Sequence, residues 1–314
     1  MNLPLVKVTS PSFSKNPALQ AELARRPFRS VLNTDTKSLP ASALVTYLAD
    51  ADAAILSLDK INDAVLDQCP RLRAIAKFGV GLDNIDLDAC NRRGIAVFCP
   101  AGVNRRSVAE VALGAMLGLS HNVFSTMQDL KLGKWNKDGG RELTGKTVGI
   151  IGLGQIGREL VELLKPFRCR ILGNDVADVS SFAREHGITL ATREEIFRNS
   201  DFVTLHLPFS ADVKHLINDE TLRMFRPGAY LINTSRGQIV DQQALKRALQ
   251  SGTLTGAALD VFETEPPTDM DFLQLPNLVC TPHISGVAYE AVVATGIHAI
   301  DYLDTYFRTA HSTR

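Results

Sequence analysis

The sequence predicts an α/β protein built from two doubly wound parallel-sheet domains, and three observations predict it. Short runs of strand-forming residues alternate with helical stretches through nearly the whole chain, the pattern of parallel sheets linked by crossover helices. The alternation comes as two series, separated by a polar, glycine-rich stretch at 130–146, LKLGKWNKDGGRELTGK. A length of 314 residues suits about two domains of ordinary size.

In the first series LVKV (5–8), AAILS (53–57), RAIAKF (73–78) and IAVF (95–98) read as strands, with helices at 62–68 and 86–93. Residues 103–129 read as one long helix joining the halves. The second series runs TVGIIG, CRILGND (169–175), DFVTLHL (201–207), GAYLINT (228–234), GAALDVF (256–262) and NLVCT (277–281). The helical patterns QIGRELVELLKPF and DQQALKRALQSG fall between these strands, and Gly252 is a C-cap candidate for the second. A last helix over 286–308 returns the chain to the first half. The expected organisation is therefore a discontinuous domain, 1–102 with 286–314, around a central domain, 103–285.

Composition sets limits on function. Hydrophobic content is 45% and charged content 22%, as in soluble globular proteins. The 34 basic residues balance 34 acidic ones, so no global field favours nucleic acid or an anionic membrane. Five cysteines lack CxxC spacing, which argues against a disulfide framework or zinc site and for a reducing compartment. The N-terminus has no apolar core of the signal-peptide kind. Residues 111–128 carry no charge, but only 111–119 are strictly apolar, against the roughly 20 a span needs, so a buried helix is expected. The protein reads as cytoplasmic, and its seven scattered histidines indicate no metal site.

TVGIIGLGQIGREL places Gly152, Gly154 and Gly157 as G-x-G-x-x-G, after a strand and opening a helix. Gly152 permits a tight turn, Gly154 lets a pyrophosphate approach the backbone, and Gly157 allows helix and strand to pack closely. The phosphates would rest on unpaired amides at the positive helix end. Asp175 follows Gly157 by 18 residues at the end of the next strand, where a ribose-binding acid belongs. It repels a 2′-phosphate, and Val176, Ala177 and Asp178 offer no base for one, so the cofactor is NAD rather than NADP.

Three polar residues follow strands of the second series, on the edge where a doubly wound sheet takes ligands. Arg236 lies in LINTSRGQIVD and Glu265 in ALDVFETEPP. In NLVCTPHISG, Pro282 closes the strand and His283 stands just beyond it. Each alone has a structural explanation, as a surface arginine, a capping glutamate or an exposed histidine.

Taken with KFGVGLDNIDLDAC, SVAE, GKTVGIIGLGQIGRE and LHLPFS in this order, these motifs resemble the D-isomer-specific 2-hydroxyacid dehydrogenases across essentially the whole chain. The resemblance implies a flavodoxin-like substrate domain and an NAD-binding Rossmann domain with a cleft between them. It implies a catalytic set of Arg236, Glu265 and His283, with His206 of LHLP near the cofactor but outside proton transfer. Hydride delivery to a ketone builds negative charge on oxygen, and an imidazolium can supply the proton near neutral pH. A carboxylate stabilises that charged ring, and a guanidinium can hold the substrate carboxylate and polarise its carbonyl. The same resemblance assigns Asp260 to the nicotinamide carboxamide, and Gln155, Ile156, Leu207, Thr234, Ser235 and Gly286 to the rest of the cofactor.

For the substrate, the resemblance points to the turn Gly79-Val80-Gly81, whose amides can form an anion nest. Residues 71–106 hold seven Lys/Arg against three Asp, and Lys77, Arg105 and Arg106 lie near that turn or at the start of the SVAE helix. A substrate with a second anion follows, with 3-phosphoglycerate/3-phosphohydroxypyruvate as leading candidate. Glyoxylate/hydroxypyruvate reductase is the alternative. The corepressor-like NAD-sensing scaffolds that share this fold are an alternative of another class, and formate or phosphonate oxidation a further option. No serine-feedback domain is expected, since the sequence stops at residue 314. Relatives of this kind pair as homodimers through the region matching 103–145, where the apolar 111–119 run and Trp135 lie.

Overall fold

The structure, a computed structural model, describes residues 3–35 and 39–312. The chain forms two compact units, residues up to 104 together with those from 288 onward, and residues 105–287. Each is built around one parallel sheet.

The first unit carries β1 (Leu5–Val8), β2 (Arg29–Leu32), β3 (Ala53–Leu56), β4 (Ala74–Lys77) and β5 (Ala96–Phe98), in the order β2-β1-β3-β4-β5. All pairings are parallel. Both faces are covered, which is why β3 is an unbroken apolar run buried at every position. Strand alternation sorts the side chains of β4 between the two faces. Ile75 packs with Leu48, Leu66 and Ile95, whereas Ala74 and Ala76 face Phe13, Leu19, Ile300 and Leu303. The last two belong to the helix Tyr289–Ser312, which starts three residues later than the sequence suggests and runs further.

The second unit carries β6 (Thr147–Ile151), β7 (Arg170–Asn174), β8 (Thr189–Leu190), β9 (Phe202–Leu205), β10 (Tyr230–Asn233), β11 (Gly256–Leu259) and β12 (Leu278–Cys280). Their order is β12-β11-β10-β9-β6-β7-β8, again parallel throughout. The direction of winding reverses between β6 and β9, so the loops after those strands border the crevice of a doubly wound sheet. Ile151, Val203, Leu231 and Leu259 fill one face of this sheet, and Ile150, Phe202, Ile232 and Ala258 the other.

Two strands, the helices Pro17–Ala24 and Ala41–Leu48, and a helix break lie outside what the sequence predicts. β2 and β8 are edge strands, and their side chains are almost all exposed, so neither shows an apolar run. The expected single helix over 103–129 is two, Arg105–Ser120 and Val123–Lys131. Asn122 sits between them at φ +53°, a left-handed conformation that asparagine tolerates. Gly118 lets the second helix fold back, because a Cβ there would lie 2.0 Å from the Phe124 ring. The 111–119 run places Ala112, Met116 and Leu119 in the core. No helix among the described residues is long and apolar enough to cross a membrane.

Candidate active site

β6 ends in the glycine turn, and each glycine there has a separate physical reason. Gly152 has φ +101°, and a Cβ on it would lie 2.4 Å from the His206 carbonyl oxygen at the end of β9. A Cβ on Gly157 would lie 2.0 Å from the Gly152 carbonyl oxygen, so the helix Gln155–Leu164 comes this close to its strand only with glycine. Gly154 meets nothing within 4 Å, the open position through which a diphosphate would reach the first amides of that helix, at Gln155 and Ile156.

Asp175 closes the same turn. One carboxylate oxygen accepts from the Leu153 amide at 2.7 Å, and the other from the Ala177 amide at 2.9 Å. Each oxygen keeps a second acceptor site for a ribose hydroxyl. Val176 beside it is 93% exposed, and neither it nor Ala177 nor Asp178 supplies a cation for a 2′-phosphate. Two buried polar atoms, Thr234 Oγ1 and His206 Nδ1, have no hydrogen-bond partner among the described residues, and both follow strands on this edge. These features fit NAD. Leu207 lies against Gly152, and Ser235 is buried beside Thr234.

Removal of the negative charge, Asp175→Asn, should raise the KM for NADH about tenfold or more, the cost of weakened charge-assisted hydrogen bonds. NADPH turnover should rise in the same variant. The ratio of kcat/KM for the two cofactors checks both effects.

His206 is 8% exposed, with Nε2 3.0 Å from Thr204 Oγ1, and burial pushes its pKa from 6.5 down to about 4. It is therefore a neutral imidazole through the physiological range. Between about pH 6.5 and pH 4 the unfolded chain takes up a proton that the folded chain refuses. This stability contribution is complete above the unfolded value and falls as the pH drops, by about 3 kcal/mol in all. Denaturant melts of the wild type and His206→Gln across this window should show the excess slope in the wild type only.

His283 is held in an unusual backbone conformation by Asp260. Its φ is +56°, a left-handed value that costs a residue with a Cβ about 1–2 kcal/mol. Asp260, 2% exposed at the end of β11, accepts from Thr281 Oγ1 at 2.6 Å, the Ile284 amide at 2.8 Å and the Ser285 amide at 2.8 Å. Its carbonyl oxygen also accepts from the His283 amide at 2.9 Å. Ser107 Oγ donates to the Ser285 carbonyl at 2.5 Å, which ties down the far side of the turn just before Gly286. The resemblance assigns Asp260 to the nicotinamide carboxamide; within the chain its carboxylate also holds the turn that presents His283.

His283 Nδ1 is 2.8 Å from Glu265 Oε2, and the other Glu265 oxygen accepts from the Phe262 amide at 3.1 Å. The two side chains are 51% and 38% exposed, so the pair is reachable by a ligand. Nδ1 is engaged, which leaves Nε2 as the nitrogen that can serve a substrate. Arg236 follows β10, and its Nη1 donates to the Ser235 carbonyl at 2.8 Å. Beneath it the fully buried Asn233 accepts from the Ser235 amide and hydroxyl and donates to the Arg236 carbonyl at 2.9 Å. Asn233 was missed in the sequence, although a polar residue inside the strand LIN signals such a role. The second unit thus brings Arg236, Glu265, His283, Asp260 and the glycine turn to one sheet edge.

Of the remaining nominated residues, Lys77, Val80 and Gly81 are in the first unit and Arg105 opens the first long helix of the second. Val80 and Gly81 are half-buried beside Gly79, and Lys77 is 4% exposed. The Lys77 ammonium donates to the Ser57 carbonyl and to Asn84 Oδ1. Acids from outside the window 71–106 meet its arginines. Arg71 and Arg73 share Asp52, and Arg92 and Arg93 meet Asp63, with Asp67 also on Arg93. Arg105 and Arg106 share Glu159, with Glu110 also on Arg106. No cluster of three or more potential metal ligands occurs among the described residues.

Comparison with known proteins follows the same lines. The sequence profile described as D-isomer specific 2-hydroxyacid dehydrogenase, NAD binding domain, matches residues 113–285. A glyoxylate reductase of Pyrococcus furiosus is 36% identical over 267 residues, covering 82% of this chain and 80% of that protein. A D-3-phosphoglycerate dehydrogenase of Methanocaldococcus jannaschii is 37% identical over 257 residues, covering 81% of this chain but 49% of its own length. The crystal structure of a D-lactate dehydrogenase from Aquifex aeolicus, complexed with NAD and lactic acid, matches with a TM-score of 0.85 and 28% identity. That match covers 97% of this chain and 96% of the other.

Proposed function

The chain belongs to the D-isomer-specific 2-hydroxyacid dehydrogenases, NAD-dependent oxidoreductases acting on the CH–OH group, and on that premise we propose that it interconverts a small 2-oxo acid and its D-2-hydroxy acid. Glyoxylate or hydroxypyruvate is the favoured substrate. The observation that carries the choice is that the six arginines of 71–106 are paired with carboxylates, while Lys77 is held by neutral groups. Exposed pairs contribute only about 0–1 kcal/mol each. Their effect here is to cancel the local field that would draw a second anion. This shifts support from 3-phosphohydroxypyruvate, and from Lys77 and Arg105 as its contacts, to an unphosphorylated acid.

The glycine turn and Asp175 would hold NADH, which when bound would supply the hydride for the carbonyl carbon. Arg236 holds the substrate carboxylate through its planar fork and polarises the adjacent carbonyl oxygen. As charge grows on the oxygen, His283 gives it the Nε2 proton, and Glu265 on Nδ1 stabilises the ring while it is charged. Run in reverse, neutral His283 takes the hydroxyl proton. Asp260 keeps the turn in place throughout.

A homodimer and a cytoplasmic setting belong to the same reading. Support for the first is a group of exposed apolar side chains in the last turn of the helix Val123–Lys131 and just beyond it, with Leu130 58%, Leu132 72% and Trp135 80% exposed. Support for the second is five free cysteines.

The test is the rate of NADH loss with glyoxylate, hydroxypyruvate and 3-phosphohydroxypyruvate. An unphosphorylated acid should exceed the phosphorylated one by at least about tenfold in kcat/KM, the value of one ion pair not made. The opposite order overturns the substrate assignment. NADH binding without turnover of any of the three overturns the enzymatic reading and favours an NAD-sensing scaffold.

A further inference from the structure

Arg236 and Glu265 stand on different loops, after β10 and β11, and Glu263 joins those loops although no step of the proposed chemistry uses it. The backbones touch: a Cβ on Gly237, next to Arg236, would lie 1.9 Å from the Phe262 carbonyl carbon and 2.5 Å from the Glu263 nitrogen. Gln238 Nε2 donates to the Glu263 carbonyl at 3.3 Å. One oxygen of the Glu263 carboxylate accepts from the Gln242 amide at 3.3 Å, and the other lies 2.5 Å from His215 Nε2.

His215 is itself tied to the Arg236 loop. It has φ +50°, a strained value for a residue with a Cβ, and its amide donates to the Gln238 carbonyl at 2.9 Å. Asn218 Nδ2 donates to its carbonyl at 3.0 Å, and Ile217 and Val240 form a parallel bridge just beyond. Glu263 is therefore bonded through its carbonyl and both carboxylate oxygens to segments 215–218 and 236–242. It lies two residues before Glu265, and Phe262 on its other side gives its amide to the Glu265 carboxylate.

We propose that Glu263, braced by His215, is a positioning residue that fixes the Phe262–Glu265 turn against the Arg236 loop and so holds Glu265 on His283. This rests on the catalytic roles proposed above for those three residues. The pair is poorly suited to a stabilising role, since the side chains are 38% and 31% exposed and such pairs add little. Its consequence is geometric, because a misplacement of about 1 Å at a reacting group can cost about a hundredfold in rate.

The experiment compares wild type, Glu263→Ala, Glu263→Gln, Glu265→Gln and the Glu263→Ala/Glu265→Gln double variant in the full chain. Glu263→Ala should lower kcat about tenfold to a hundredfold. Its Tm should stay within a few degrees and its NADH affinity within about twofold, as loss of one exposed pair allows. Glu263→Gln keeps the shape and an acceptor oxygen, so it should recover most of the rate. The double variant should be no slower than Glu265→Gln alone, because both changes act through the same contact. Independently of turnover, the proton NMR signal of His283 Nδ1–H bonded to Glu265 should broaden or vanish in Glu263→Ala. A wild-type rate in Glu263→Ala, additive losses in the double variant, or an unchanged His283 signal overturns the proposal. Absence of wild-type turnover overturns the functional reading instead, and the NMR signal still decides whether Glu263 positions Glu265.

Discussion

His283→Gln should lower kcat by about 10²–10⁴-fold in both directions, the usual contribution of a positioned acid–base group, with NADH affinity nearly unchanged. Glutamine keeps the length of the side chain and can still donate a hydrogen bond to Glu265, so the turn survives. It cannot release a proton to the growing alkoxide or take one from a hydroxyl. The turn is held chiefly by Asp260, whose contacts to Thr281, Ile284 and Ser285 do not involve the imidazole. A loss of rate can therefore be separated from a loss of fold by measuring NADH binding and Tm beside steady-state kinetics. If His283→Gln keeps a rate within about tenfold of wild type, the proton comes from elsewhere, and the Glu265 contact at 2.8 Å is only structural.

Much of this site could be read from the chain before any coordinates. The glycine spacing and Asp175 are legible because each answers a local demand, a positive φ at Gly152 and a close helix at Gly157. His283 is legible because a proline ends its strand. What escaped has a common physical cause. β2 and β8 lie at sheet edges with exposed side chains, so the solvent around them erases the apolar signal. The break at Asn122 depends on Phe124 packing over Gly118, a contact that periodicity does not report. The ion pairs of the basic run at 71–106 escape for the same reason, since the acids that meet its arginines, Asp52, Asp63, Asp67, Glu110 and Glu159, come from elsewhere in the chain. Asp260 was legible as a strand-end acid, but its hold on the His283 turn exists only in the fold. The same is true of Asn233, which orders the backbone around Arg236.

Arg236→Lys is the second change from which a large effect is expected, a fall in kcat/KM of about 10²–10³-fold, as for removal of a donor aimed at developing charge. Lysine keeps the charge, so long-range attraction of an anionic substrate is preserved. What it loses is the planar fork that can grip a carboxylate with two parallel hydrogen bonds and still reach the carbonyl oxygen. The backbone at this position is fixed independently of the side chain, by Asn233 on the Arg236 carbonyl and by the close approach of Gly237 to Phe262. The guanidinium is in turn steered by the Ser235 carbonyl at 2.8 Å. The loss should consequently fall on substrate affinity and rate together, with NADH binding within about twofold of wild type, because an interaction with the reacting group strengthens as charge develops. A carboxylate competitive inhibitor should weaken in parallel through the missing fork. Were the variant to keep kcat/KM within about threefold, charge alone would be sufficient and the planar fork would not be what recognises the carboxylate.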